Sequence, residues 1–165
     1  MTTTFDWDAS SFFEGLLERN RLAKRERFSF CNVSGLEGFE EALQGLQTTT
    51  NLVAVSDTSQ GYMEMNNTPR TRRVKTVFLA MRHAVEDMKA RQECFDTMRE
   101  LFRQLMSVLL QEKSRLEEHR IYLDPQIAFT EIERYFYNGA ACAYFQIAVD
   151  TFTDLRYDPD EWTHP

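Results

Sequence analysis

The chain has 165 residues, 42% of them apolar, with a formal net charge of −7 and a pI near 5.0. That size and make-up fit one globular domain able to bury a core and leave little for a second. No apolar run reaches the ~18 residues of a membrane span. The opening Met1-Thr2-Thr3-Thr4-Phe5-Asp6-Trp7-Asp8 lacks the basic and apolar regions of a signal peptide, so the expectation is a cytoplasmic protein.

The three cysteines, Cys31, Cys94 and Cys142, are an odd number at wide separations with no CxxC. They read as reduced, half-buried thiols rather than a disulfide framework or a zinc site. Charge is segregated: residues 1–65 carry a balance of −5, residues 66–91 of +5, residues 92–120 of −1 and residues 121–165 of −6. Such opposed surfaces are either solvated faces or suited to head-to-tail contact between copies.

In chain order, Ser11 and Glu14 form an S-x-x-E capping box ahead of Phe12, Phe13, Leu16 and Leu17, which predicts a helix over 11–23. The basic cluster Arg19, Arg21, Lys24, Arg25 and Arg27 marks its end. Phe28 to Val33 alternates and predicts a strand. A second capping box at Ser34 and Glu37, with Leu36, Phe39, Leu43 and Leu46 behind it, predicts a second helix. Leu52 to Val55 reads as a buried strand, Asp57 to Gly61 as a turn, and Tyr62 to Met65 as the returning partner strand.

A loop at Asn66 to Arg70 leads into Arg72 to Met81, polar at first and apolar on both faces by its end, as in a strand entering the middle of a sheet. From Ala84 to His119 there is no Gly or Pro, and Met88, Phe95, Met98, Phe102, Leu105, Leu109 and Leu116 fall on one helical stripe. A helix of some 36 residues would be roughly 50 Å long, with Glu86 and Asp87 in its first turn and Arg115, His119 and Arg120 in its last. Two aromatic and β-branched runs, 127–137 and 140–152, flank Asn138-Gly139 and predict a hairpin with a type I′ turn. On its second arm Ala141, Ala143, Phe145, Ile147 and Val149 share the core face. The tail from Tyr157 to Pro165 is acidic and proline-broken, and Trp162 has no local core to enter, so it frays or docks on a neighbour. The fold class expected is α+β: a mostly antiparallel twisted sheet of about five to six strands carrying one long and two shorter helices, with a C-terminal hairpin.

Candidate chemistry is sparse. His83, His119 and His164 stand alone, no HExxH, GxGxxG, GxxxxGK[ST] or GxSxG is present, and no metal, cofactor or catalytic role is expected. His83 and Cys94, if carried by one continuous helix, lie about 16 Å apart, too far for proton transfer. Glu131 and Glu133 share a strand face and could hold a divalent ion, although an exposed face explains them more simply. Arg70, Arg72, Arg73, Lys75 and Arg82 could meet phosphate or an anionic surface on a neighbouring subunit, but the low pI works against nucleic acid.

Two stretches carry a resemblance in element order: Thr71 to Leu79 running into the long helix, and Ala141 to Asp150 as the last strand. Together with the elements before them, they make the chain resemble the tail-terminator and tail-completion proteins at the neck of tailed bacteriophages and prophages, which form rings without catalysis or cofactor. The resemblance implies a self-associating structural subunit with contacts through the 57–72 loop; the segregated charge leads to the further expectation that it associates through sheet edges, the basic 66–91 region and the acidic tail. The interaction residues expected are Arg70, Arg72, Arg73, Lys75, Tyr135, Tyr137, Tyr144 and Trp162. The rival expectation is a small-ligand or peptide-binding module using Arg134, Tyr135 and Tyr144.

Overall fold

The computed structural model describes residues 6–45, 50–133 and 139–163. Helices α1 (Ala9–Arg19) and α2 (Arg21–Arg25) precede strand β1 (Phe28–Val33), helix α3 (Gly35–Gly45), and strands β2 (Asn51–Ser56), β3 (Gln60–Glu64) and β4 (Arg70–Arg82). Helix α4 (Met88–Glu118) leads to β5 (Ile121–Leu123), β6 (Phe129–Glu131), β7 (Ala140–Phe152) and a single 3₁₀ turn, Pro159–Glu161. The seven strands form one mixed sheet in the order β1-β2-β4-β7-β5, with β3 on β4 and β6 on β7. The expected α+β class holds, and no described helix is long and apolar enough to cross a membrane.

Among the described residues only β1 and β2 pair in parallel, and the remaining pairs are antiparallel. Two crossovers, β1-α3-β2 and β4-α4-β5, advance the same way across the sheet, but β4 runs opposite to β2. A common handedness therefore sends α3 and α4 to opposite faces. On one face α1, α2 and α4 bury Phe13, Leu16, Met98, Leu101 and Leu105 against Val53, Val55, Leu79 and Phe145. On the other, Phe39 and Leu43 of α3 pack on Leu52, Phe78, Ala80 and Cys142, and the Phe39 and Phe78 rings stack at 4.8 Å.

The helix starts differ from the capping-box reading. Asp8 caps α1, accepting the N–H groups of Ser10 and Ser11 and the Ser11 hydroxyl. Asn20 breaks the helix there and caps α2 through the N–H of Ala23. Ser34, expected to cap α3, instead donates its hydroxyl to Asp57. The long helix begins four residues later than expected, because Glu86 takes φ 68° and Asp87 caps the N–H of Ala90. Its 31 residues are unbroken and about 46 Å long. The buried stripe runs through Arg91, Cys94, Met98, Leu101, Leu105, Leu109 and Leu116, rotated from the expected one so that Met88 is exposed and Phe95 and Phe102 are half-buried.

Strand pairing brings two further corrections. Asp57 to Ser59 is no reversal: β2 and β3 both pair with β4, lying end to end along one side of it. Between the pairs Val55↔Val77 and Gln60↔Val74 the β2–β3 side holds two more residues than β4, a bulge. Thr76 donates its N–H to the Ser56 hydroxyl, and Lys75 donates its ammonium to the carbonyls of Ser56 and Asp57, holding the bulge closed. The second correction concerns the C-terminal hairpin, where β6 does pair with β7 but Glu131 lies opposite Ala143. A two-residue Asn-Gly turn would set Glu131 opposite Gln146. Gly139 takes φ 82° and its carbonyl accepts the N–H of His83; Asn138 lies outside the described residues. Strand β5 went unpredicted, being three residues long.

Candidate interaction surface

Helix α3 covers only the half of its sheet face where Phe78 and Ala80 lie. Below it, no element among the described residues covers the face. Alternation along β4 places Arg70, Arg72, Val74 and Thr76 on that open side. Register then sets Tyr62 and Asp150 on either side of Arg72, with Tyr122 beyond Asp150, so that four side chains form one row across β3, β4, β7 and β5. Arg72 donates to both oxygens of Asp150 at 2.8 and 2.7 Å and to Asp124 at 3.2 Å, and its guanidinium lies 5.6 Å from the Tyr62 ring centre. Asp150 raises the Arg72 pKa above its already high ordinary value, so the residue is a permanent cation neutralised within the chain.

In the next row Glu64 and Phe152 flank Arg70, whose guanidinium lies 5.2 Å from the Tyr122 ring centre. Tyr62 is 53% exposed, Tyr122 41% and Phe152 60%. Adjoining this corner, Met65 and Leu155 are exposed as well, and a groove of about 560 Å³ runs between Met65, Pro69, Phe152 and Leu155. Exposed apolar side chains gathered in one region, unlike scattered ones, are the mark of a contact surface.

The residues singled out in the sequence are not brought together as one basic patch. Arg70 and Arg73 are exposed on opposite faces of β4. Arg72 and Lys75 are committed inside the chain, the first to carboxylates and the second to the β2–β3 bulge. Tyr144 is half-buried against Phe78, with ring centres 6.0 Å apart. Trp162 stacks on Tyr157 at 6.4 Å. Tyr135, Tyr137 and Arg134 lie outside the described residues.

A second feature lies on the α4 face. A cavity of about 210 Å³ is lined mainly by Leu79, Phe95, Met98, Phe102, Phe129 and Phe145. At its rim Arg99 donates to both oxygens of Glu131 at 2.6 and 2.8 Å, which holds the Glu131 carboxyl below its ordinary range. Glu131 is thus an ion-pair partner and not half of a paired-carboxylate site. Sequence reasoning missed Arg91, which is 6% exposed and donates to the carbonyls of Ile132 and Glu133 at 3.0 and 2.9 Å, tying α4 to the segment just past β6. The only signal for it was its place on the stripe with Cys94 and Met98.

The later start of α4 also changes the relation of His83 and Cys94. They do not share a helix, and the Cys94 thiol sits 3.6 Å from the carbonyl of Arg82. Burial, with smaller contributions from Glu26 and Glu93, pushes that thiol pKa up, away from a reactive thiolate. Among the described residues no group of three or more His, Cys, Asp or Glu is placed to hold a metal. No protein-family model matches the chain, and no curated protein is detectably similar to it.

Proposed function

We propose that the chain is a non-catalytic assembly subunit that associates with copies of itself, in the manner of the ring-forming proteins at the phage neck whose element order it resembles. The observation that carries this reading is the uncovered lower sheet face, where Tyr62, Tyr122 and Phe152 are exposed beside Met65 and Leu155. The charge near it is opposed, with exposed Arg70 on the sheet and Asp158, Asp160 and Glu161 in the tail. Apolar area drives such contacts while opposed charge fixes their register and speeds encounter. Light scattering over a concentration series at low and high salt tests the reading: mass should rise with concentration and fall with salt. A monomer at every concentration contradicts it.

The half-open, largely apolar pocket of about 210 Å³ beside Phe129 supports a second reading, a module that binds a small apolar ring, since apolar space of that order accepts benzene-sized ligands. A thermal shift with indole or a similar aromatic compound, abolished by Ala143→Trp, would favour it. No shift at millimolar probe would remove it.

A further inference from the structure

Resting on the self-association reading, we infer that the contact is made by strand exchange: residues 153–158 of one copy add as an extra strand to the free edge of β3 in a second copy. Strand β3 pairs with β4 on one side, and among the described residues no strand pairs with its other side. All five of its residues are exposed, and Gln60-Gly61-Tyr62-Met63-Glu64 contains neither the Lys nor the Pro that commonly blunts an exposed edge. The opposite edge differs, since β5 and β6 are three residues each with Pro125 between them. At β1, Phe28 and Phe30 are partly buried against the core that α1 shares.

The proposed donor has the matching pattern. Thr153 to Asp158 alternates, with Leu155 and Tyr157 on one side and Asp154, Arg156 and Asp158 on the other, the period of a half-buried strand. Past Thr153, whose N–H is already taken by the Pro69 carbonyl, it belongs to no strand of its own chain. The N–H of Arg156 is taken by the Asp154 carboxylate, a local substitute for a ladder partner. Leu155 is 43% and Tyr157 74% exposed.

The acceptor edge also specifies which side of the donor faces which way. Tyr62 lies on the open face, so Leu155 and Tyr157 fit beside it. On the other face Gly61 is opposite Arg73, and a Cβ at Gly61 would sit 1.7 Å from the Arg72 carbonyl oxygen, so that position has no side chain. Arg73 is exposed and forms no ion pair among the described residues. It can reach across Gly61 to Asp154 or Asp158 of an added strand, carboxylates that in the single chain accept from Arg156 and from the Asp160 N–H. Because donor and acceptor are different surfaces, the contact is head-to-tail, the kind that closes into a ring.

Two full-length variants test this in equimolar mixture. Leu155→Asp/Tyr157→Asp removes the donor, Met63→Asp/Arg73→Glu removes the acceptor, and all four side chains are exposed and outside the core. Each variant alone should be a folded monomer by circular dichroism and light scattering. Their mixture should give a heterodimer and nothing larger, because one intact donor and one intact acceptor remain. A parallel mixture of Tyr157→Cys and Tyr62→Cys chains should give an intermolecular disulfide. If the donor variant alone assembles as the parent does, strand exchange is wrong while self-association stands. A monomeric parent removes both.

Discussion

Arg72 ties β4 to Asp150 of β7 and to Asp124, just past the end of β5. Its side chain is 25% exposed, against 22% for Asp150, so the pair is partly screened and its charged hydrogen bonds are worth about 2 kcal/mol together. Arg72→Ala should lower Tm by several degrees, and Arg72→Lys should recover only part of that, since an ammonium cannot match both Asp150 oxygens. No change in Tm would contradict the assignment. Asp8 gives a pH-dependent counterpart. The Ser11 hydroxyl first, and then the N–H groups of Ser11 and Ser10, lower its carboxyl below the ordinary 3.8. A lowered folded pKa adds stability above the unfolded value, and this is lost as pH falls through the folded value. Asp8→Ala should therefore cost about 1 kcal/mol at pH 7, and the gap between variant and parent in urea melts should close below the ordinary 3.8. A gap that stays constant down to the acid limit would contradict the capping role. Neither partnership was legible beforehand: a carboxylate brought near by register leaves no local trace, and Ser11 with Glu14 offered a competing cap.

Among the elements, α4 and β4 were the most readable, because many residues repeat one pattern in each. The α4 stripe was read one position off at Cys94 and Leu101, since Phe95 and Phe102 carry equal apolar weight and only the sheet decides which residue faces it. Leu105, 1% exposed at the middle of the helix, should cost about 3 kcal/mol as Ala, read in equilibrium denaturation; a loss under half of that would contradict its burial. The misreading of Asp57 to Gly61 has a clear cause. A run of Asp, Thr, Ser, Gln and Gly marks a turn by composition, but it is equally the composition of a bulge. Likewise Gly139 is required by its surroundings and not by a two-residue turn. A Cβ there would lie 2.4 Å from the His83 carbonyl oxygen, and with φ 82° Gly139→Ala should cost about 2 kcal/mol. A neutral substitution by thermal melt would overturn that geometry.

At the scale of the molecule, the segregated charge was visible in the sequence, but its disposition was not. The basic stretch is divided between two faces of β4, two of its members are spent internally, and the open corner is built by register from residues as distant as Tyr62, Tyr122 and Phe152. Among the described residues, the fold leaves an apolar corner uncovered next to an unpaired strand edge and an alternating arm. The most direct measurement is the mass of the full-length chain by light scattering across a concentration series at low and high salt. The account predicts a mass that climbs in whole-chain steps as concentration rises and drops as salt is added. One chain's mass throughout, indifferent to salt, would contradict it.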